Sequence, residues 1–385
     1  MAGSAGFSVI EMVVAMALTL TITAGAFSLL QPATGAFAVE PEVADLQQRQ
    51  RVAVDALRRD LSAAGAGTYF PGRGGSLVRF FAPLLPFRLA PTARDPVGTA
   101  RTDIATIVSV PATAAQTTLA ADLPAGGLTV QADAEPWCPA GQRLCGFSAG
   151  MTVAIFDAAG SVDLFTVSAV VDGAGQIVLD PRPAYPPVGY RAGSTIVEVR
   201  LDIYSLKMIP ASQTFQLMHG DGSSDQPAVD HVVGLTFEYD GDAQPPAMSG
   251  DEPSYGPAPP PAGQQTSAYP AGENCFFQRD PIAGEPVPRL AALASSAALV
   301  RLPPAQFSDG PWCPDAASPG RWDADLIRIR RAWVTLRVQA SLSALRGPAG
   351  VLFANGGSST GGNRWVPDRE IRFPISPPNL NARRR

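Results

Sequence analysis

The stretch Gly6-Phe7-Ser8-Val9-Ile10-Glu11 lies near the start of the sequence, and nineteen uncharged residues follow it from Met12 to Leu30. At about 1.5 Å per helical residue, this run can cross most of the roughly 30 Å hydrocarbon layer of a membrane. A charged side chain at the centre of a bilayer costs roughly 2.5–3.5 kcal/mol on insertion scales. The carboxylate of Glu11 therefore indicates a partner or a function inside the apolar segment.

Three ordinary interpretations of the apolar run compete. A plain single-span membrane anchor requires only this length. A cleaved secretory signal is compatible with the A-x-A-like site at Ala24-Gly25-Ala26, although the run is long and no basic region precedes it. A buried helix of a soluble enzyme would need a partner for Glu11 in its core.

The order Gly-Phe-Ser-Val-Ile-Glu before an apolar helix resembles the prepilin motif of type IV pilins and type II secretion pseudopilins. The resemblance implies cleavage by a prepilin peptidase between Gly6 and Phe7, followed by N-methylation of Phe7. It makes Glu11 the fifth residue of the mature chain, where its carboxylate neutralises the amino-terminal charge of a neighbouring subunit in the filament core. The implied partners are the peptidase, the inner membrane and other pilin or pseudopilin subunits.

A second resemblance concerns the region behind the apolar run. The segment Leu57-Arg58-Arg59-Asp60-Leu61, followed by Ala64-Gly65, is similar to the helix end of PilW-type minor pilins. The leader Met1–Gly6 departs from the family pattern, because it contains no Lys or Arg. The similarity implies a minor pilin that primes or caps pilus assembly, with its outer domain in the periplasm or at the pilus tip.

The front of the chain is predicted to be one long helix in two halves. Pro32 and Pro41 predict a kinked or locally melted segment at 31–41, since proline disrupts a helix interior. From Glu42 onward, apolar residues recur at spacings of three and four, while arginines lie on the other faces. Gly65 and Gly67 are expected to end the helix. The apolar positions are Val43, Leu46, Ala53, Leu57, Leu61 and Ala64.

The remainder of the chain predicts strands joined by many turns, because Gly and Pro total 75 of 385 residues. In Thr195–Tyr204, apolar and polar residues alternate, which predicts an antiparallel strand with Asp202 and Tyr204 on its wet face. The other predicted strands are Leu77–Ala82, Asp103–Val110, Leu128–Gln131, Met151–Asp157, Ser161–Val171, Gln176–Asp180, Thr214–Met218, Val232–Tyr239, one within Leu326–Leu345, and Ile371–Ile375.

These patterns predict an α+β fold: a long helix, half membrane-spanning and half amphipathic, packed on an antiparallel sheet with an enlarged β-rich carboxy-terminal region and long loops. The predicted organisation is a leader at 1–6, a transmembrane or filament-core helix at 7–30, a kinked continuation at 31–67, a β-rich pilin-like domain at 68–239, a Pro/Gly-rich loop at 240–288 and a final β region at 289–385.

Four cysteines follow the apolar run, where an oxidising periplasm would permit disulfides. Three pairings are possible, and proximity in the chain favours Cys138–Cys145 and Cys275–Cys313. A zinc site is the alternative, although no C-x-x-C spacing or histidine cluster accompanies the cysteines.

Chemistry-bearing motifs are scarce elsewhere. The histidines, His219 and His231, belong to no H-E-x-x-H arrangement, and no serine lies in G-x-S-x-G. The Asp/Gly-rich segment Gly220–Asp225 is predicted to be an ordinary turn rather than a calcium loop. We therefore expect no catalytic residues, no metal site, no cofactor and no enzymatic activity. The net charge of −5 does not favour nucleic-acid binding.

The sequence thus predicts a PilW-like minor pilin processed by prepilin peptidase. A J-type pseudopilin of a type II secretion system has the same stem and is the alternative within the class. From a different class, a single-pass periplasmic binding protein or adhesin would use its loops for recognition without polymerising.

Overall fold

The protein is described by a computed structural model. It describes residues 8–68, 75–96, 99–157, 161–183, 187, 189–210, 214–242, 260–265, 269–274, 277–288, 298–304 and 324–384. This part of the chain is α+β, with a long amino-terminal helix followed by strands that pair in antiparallel ladders. The structure therefore confirms the predicted α+β class with a β-rich region behind the helix.

Helix α1 runs from Val9 to Ala63 and comprises 55 residues. It is continuous through Pro32 and Pro41, so the segment at 31–41, predicted to be kinked or locally melted, is helical. A proline removes one hydrogen bond and crowds the preceding turn, and a long helix can absorb both effects without ending. The predicted stop is confirmed: Gly65 has φ of +76°, and its N–H donates to the carbonyl of Val108 at 3.0 Å.

The chain divides into two compact units. The first comprises Met1–Arg51 and Val338–Arg369, and the second comprises Val52–Arg337 and Glu370–Arg385. We call Val338–Arg369 the crossover segment, because the chain returns through it to the unit that contains most of α1.

Charged side chains of α1 hold the crossover segment in the first unit. The buried carboxylate of Glu42 accepts hydrogen bonds from the backbone N–H of Ser341 and, at 2.8 Å, from its hydroxyl. Arg49 pairs with Glu42 at 3.2 Å and donates to the carbonyl of Gln339 at 3.1 Å. Charge-assisted hydrogen bonds of this kind are about twice as strong as neutral ones. Arg49, predicted to face away from the packed stripe, is thus part of the contact.

Antiparallel ladders join most of the strands into three larger sheets and one hairpin. The strands are β1 Leu84–Leu85, β2 Ile104–Ser109, β3 Gln116–Thr118, β4 Thr129–Gln131, β5 Thr152–Phe156, β6 Val162–Val171, β7 Gln176–Leu179, β8 Thr195–Glu198, β9 Arg200–Ile209, β10 Thr214–Gly220, β11 Asp225–Asp230, β12 Val232–Gly241, β13 Phe277–Arg279, β14 Pro286–Pro288, β15 Val300–Leu302, β16 Ile329–Val338 and β17 Arg369–Ile375. The sheets have the orders β1-β2-β9-β10-β11, β3-β8-β5-β6-β7-β4 and β15-β12-β16-β17, and β13 pairs with β14.

Short helices supplement these elements. Helix α2 runs from Ala324 to Ile327, immediately before β16. Single 3₁₀ turns or short 3₁₀ helices lie at Leu77–Arg79, Asp172–Ala174, Ser343–Leu345, Gly362–Arg364 and Asn379–Arg384.

Most predicted strands are confirmed to within a few residues, and the exceptions need correction. Leu77–Ala82 is not a strand, because the Ser76 hydroxyl caps a 3₁₀ turn there through the N–H of Val78 at 3.3 Å. Strand β11 was missed, since Pro227 within it argues against a strand except at a sheet edge, which is its position. The predicted loop 240–288 contains the β13–β14 hairpin, while its residues 243–259, 266–268 and 275–276 lie outside the described chain.

The strand predicted at Thr195–Tyr204 is divided at Val199 between two sheets. Strand β8 pairs with β3 and β5, whereas β9 pairs with β2 and β10. The predicted wet face is also wrong beyond this point, because Asp202 and Tyr204 are buried at 3% and 1% exposure. Period-two alternation indicates one covered face, and it cannot show that an element covers the other.

Candidate functional site

Helix α1 begins with a reciprocal pair of hydrogen bonds between Ser8 and Glu11. The N–H of Ser8 donates to Oε2 of Glu11 at 2.9 Å, and the N–H of Glu11 donates to the hydroxyl of Ser8 at 3.2 Å. This is a capping box, in which the side chains satisfy two backbone donors that the first turn leaves unpaired. The sequence signal, Ser-x-x-Glu before an apolar run, was present, but the resemblance to prepilins implied only an intermolecular role for Glu11.

Only one of the two carboxylate oxygens of Glu11 takes part in this cap. Oε2 accepts the Ser8 N–H, while Oε1 has no hydrogen-bond partner among the described residues. Glu11 is also the only ionisable side chain from Ser8 to Ser28. The geometry therefore presents one free carboxylate oxygen at the start of the apolar helix.

One helical segment, Val9–Ser28, is long and apolar enough to cross a membrane, with a mean hydropathy of 1.9. A signal sequence or the core helix of a soluble protein can satisfy the same criterion. No part of this segment is buried against other described residues, which does not fit a core helix. Its large side chains point outward, among them Val9, Ile10, Met12, Leu20, Ile22 and Phe27.

Hydroxyl groups in the same segment are satisfied within the helix. Thr19 donates to the carbonyl of Ala15 and Thr23 to the carbonyl of Thr19, both at 2.7 Å, and Ser28 donates to that of Gly25 at 2.8 Å. In hydrocarbon there is no water to satisfy such groups, so back-bonding removes their desolvation cost. The segment is thus chemically suited to an apolar environment despite its hydroxyls.

Several predicted site residues lie outside the described part of the chain, namely Gly6, Phe7, Cys275 and Cys313.

The other two cysteines, Cys138 and Cys145, form a disulfide with their Cα atoms 5.6 Å apart. The buried carboxylate of Glu135 accepts from the indole of Trp137 at 2.8 Å and from the N–H of Gly146 at 3.1 Å. Burial raises the pKa of Glu135. Because the two sulfurs are bonded to each other, the disulfide closes the loop between Cys138 and Cys145, and neither sulfur is a thiolate that could bind a metal.

A charged cluster joins the end of α1 to strands β9 and β10 in the second unit. Asp60, only 2% exposed, accepts from the Tyr204 hydroxyl at 2.6 Å and from Nη2 of Arg200 at 3.1 Å. Nε of Arg200 binds Asp202 at 2.8 Å. Nε2 of His219 lies 2.9 Å from the same carboxylate, and its ring stacks on Tyr204 with centroids 5.0 Å apart.

The cluster explains why Asp60 tolerates burial. Its carboxylate receives a phenolic hydrogen bond and two cations, Arg200 and, from its neighbour on the helix, Arg59 at 3.2 Å. Burial, with a contribution from the Asp60 carboxylate, raises the pKa of the Tyr204 phenol, so this hydroxyl remains a donor. An unpaired buried carboxylate would be far more costly.

Three potential metal ligands, Asp60, Asp202 and His219, have ligand atoms within 4.8 Å of one another. The guanidinium of Arg200 already bridges the two carboxylates with hydrogen bonds of 3.1 and 2.8 Å. A bound cation would have to displace this group, and the cluster is therefore a structural ion-pair network. The alternation in Thr195–Tyr204 predicted Asp202 and Tyr204 in solvent, so this network was not predicted.

A signal for this network was nevertheless present in the helix. Asp60 follows Leu57 by three residues and precedes Ala64 by four, so all three lie on one helix face. A carboxylate within a buried stripe predicts a polar partner on the opposing element. The identity of that partner, Tyr204 with Arg200, is not contained in the local pattern.

The Asp/Gly-rich turn at 220–225 forms as an ordinary turn. The Asp221 carboxylate accepts from the N–H groups of Ser223 and Ser224, both at 2.8 Å. Asp225 pairs instead with Arg88 at 3.1 Å. Both carboxylates therefore have partners in the protein.

Comparison with known proteins adds no relative. No family model, no curated protein and no solved structure matches the chain.

Replacing Asp60 is expected to weaken the attachment of α1 to the sheet. Asp60→Ala leaves the Tyr204 hydroxyl without its acceptor and removes one partner of Arg200, so we expect a loss of about 2–4 kcal/mol in the free energy of unfolding. Urea denaturation of the detergent-solubilised chain measures this loss. Asp55→Ala on the exposed face of the same helix is the matched control and should stay within about 0.5 kcal/mol of wild type. Equal losses for both variants would contradict a structural role for the network.

The His219–Asp202 contact is expected to make stability depend on pH. The hydrogen bond to Asp202 raises the pKa of His219 above its ordinary value of about 6.5. Because the folded-state pKa is higher than the unfolded one, the contribution is complete below about pH 6.5 and is lost as pH rises through the folded-state pKa. The stability difference between wild type and His219→Gln, measured by urea denaturation between about pH 5.5 and 8.5, should therefore shrink with increasing pH. A constant difference would show that protonation of His219 is not involved.

Proposed function

We propose that this protein is a membrane-anchored subunit of the pilin type, a PilW-like minor pilin whose apolar helix enters a filament core while its β-rich part stays outside. The observation that carries the proposal is the carboxylate of Glu11 at the start of an exposed, otherwise uncharged helix, with one oxygen free. An isolated charge is costly in an apolar environment, so this oxygen calls for a cationic partner. The amino-terminal ammonium group of a neighbouring subunit supplies one.

The capping box gives this pairing a defined geometry. Ser8 holds one oxygen of Glu11 towards the amino-terminal end of the helix, where the positive end of the helix dipole also favours a carboxylate. In this proposal Oε1 accepts from the ammonium group of the neighbouring subunit. Cleavage between Gly6 and Phe7 would retain both Ser8 and Glu11, so the cap persists in the mature chain.

The amphipathic half of the helix supports the same proposal. Ala53, Leu57 and Leu61 are buried, and Asp60 binds strand β9 through Tyr204 and Arg200. A pilin-type subunit requires this arrangement, in which the outer end of a long helix packs on an antiparallel sheet. We place the β-rich part in the periplasm, where the Cys138–Cys145 disulfide would be stable.

The mature amino terminus tests the proposal directly. Intact-mass and amino-terminal peptide mass spectrometry of the protein from its native host should identify a chain beginning with N-methylated Phe7. Methylation preserves the ammonium charge that Glu11 requires. A chain that retains Met1, or one that begins after Ala26, would contradict the pilin assignment and favour a plain anchor or a secretory signal.

Two substitutions at Glu11 separate its charge from its role in the cap. Gln serves in a capping box as Glu does but carries no charge, so Glu11→Gln keeps the cap and removes the ion pair, whereas Glu11→Ala removes both. We expect normal cleavage at Gly6 and severe loss of filament incorporation in both variants, measured as the fraction of the protein in sheared filaments. Ser8→Thr, which retains the hydroxyl, is the control and should assemble.

If Glu11→Gln assembles normally while Glu11→Ala does not, the cap rather than the charge is what assembly requires. Normal assembly of both variants would remove Glu11 from the mechanism.

A further inference from the structure

A tight turn in the crossover segment presents two large aliphatic side chains to solvent. Gly350 and Phe353 close the turn, with reciprocal backbone hydrogen bonds of 2.8 and 3.3 Å. The two residues between them are Val351, 93% exposed, and Leu352, half exposed. Turn positions are usually occupied by Gly, Pro, Asn, Asp or Ser, each for a conformational reason. Val and Leu have no such reason to lie at this tip.

The turn is anchored firmly beneath its tip. Phe353 is buried and packs edge-on against Trp365, with ring centroids 5.6 Å apart. The N–H of Asp368 donates to the carbonyl of Leu352 at 3.0 Å, and its carboxylate accepts from the N–H of Ala354 at 2.6 Å. The two aliphatic side chains are therefore displayed from an ordered base.

The sequence around the tip carries no charge. Residues 347–363 contain no Asp, Glu, Lys or Arg, whereas the average charge content of 16% would place about three in a stretch of this length. The preceding Arg346 is buried and donates to Gln339 at 3.1 Å. The tip itself can therefore approach hydrocarbon without a charged side chain of residues 347–363 to desolvate, while the Asp368 carboxylate lies at the base of the turn, where it accepts from the Ala354 N–H.

The crossover segment meets α1 beyond the end of the apolar helix. Ser341 binds Glu42, which is 14 residues beyond Ser28, or about 21 Å along the helix. Val351 lies ten positions beyond Ser341, and because the chain between them includes the 3₁₀ turn Ser343–Leu345, it spans less than the roughly 33 Å of a fully extended segment. Both segments belong to the first compact unit.

We infer that Val351 and Leu352 insert into the interfacial layer of the bilayer that holds α1, giving the protein a second membrane contact. The inference rests on the membrane anchoring in the proposed function. A lipid surface fits the tip better than a protein partner, since a stable protein interface buries about 800 Å² on each side and two side chains supply only a fraction of that. Aliphatic side chains presented at the headgroup boundary bind through buried apolar area.

Site-specific photocrosslinking tests the contact in the full chain, reconstituted into phosphatidylcholine/phosphatidylglycerol vesicles. The variant Val351→p-benzoylphenylalanine should form lipid adducts on irradiation, detected by mass spectrometry. Ile282→p-benzoylphenylalanine is the matched control, because Ile282 is 97% exposed in a turn of the second unit and should form few. Leu18→p-benzoylphenylalanine, within the apolar helix, should form lipid adducts if α1 is inserted.

Each outcome has a defined meaning. Lipid adducts at position 18 and several-fold more at 351 than at 282 support the inference. Adducts at 18 without enrichment at 351, or protein–protein crosslinks at 351, overturn it while leaving the anchor intact. Absence of adducts at position 18 overturns the anchoring, and with it the basis of the inference.

Discussion

The hydrogen-bonded carboxylate of Asp60 is the interaction on which the second compact unit depends. It lies in the buried stripe of α1, so the sheet must supply partners, and Tyr204 and Arg200 of β9 do so. Arg200 in turn binds Asp202, which binds His219 of β10. One helix and two strands are thereby joined by a network in which every carboxylate has a cation. Removal of a single member leaves a buried charge or hydroxyl unpaired, which explains the expected cost.

Two carboxylates on the same helix illustrate opposite uses of one functional group. Asp60 is buried and its charge is neutralised within the protein by Arg200 and Arg59. Glu11 is exposed among apolar side chains, and one of its carboxylate oxygens accepts a hydrogen bond in its own helix cap. The first carboxylate stabilises the fold, because its partners are internal. The second is a candidate for assembly, because no cation among the described residues pairs with it.

The crossover segment packs on the part of α1 that follows the apolar helix. Glu42 and Arg49 bind Ser341 and Gln339, residues almost 300 positions later in the chain. This contact brings the aliphatic tip at Val351 into the same compact unit as the apolar helix. The apolar helix and the proposed membrane-contacting tip therefore belong to one unit, while the disulfide and the charged cluster belong to the other.

The amino-terminal apolar helix, its glycine stop, the capping motif at Ser8 and most strands are determined by the sequence itself, since they depend on residues close together in the chain. Tertiary structure alone decided that β8 and β9 separate at Val199 and that Asp202 and Tyr204 are buried. Both outcomes depend on which element covers a strand's second face, and alternation within the strand carries no record of it. Pairings such as Asp60 with Tyr204, or Glu42 with Ser341, join residues separated by 144 and 299 positions. Only the folded chain brings such residues together, because their recognition is spatial rather than sequential.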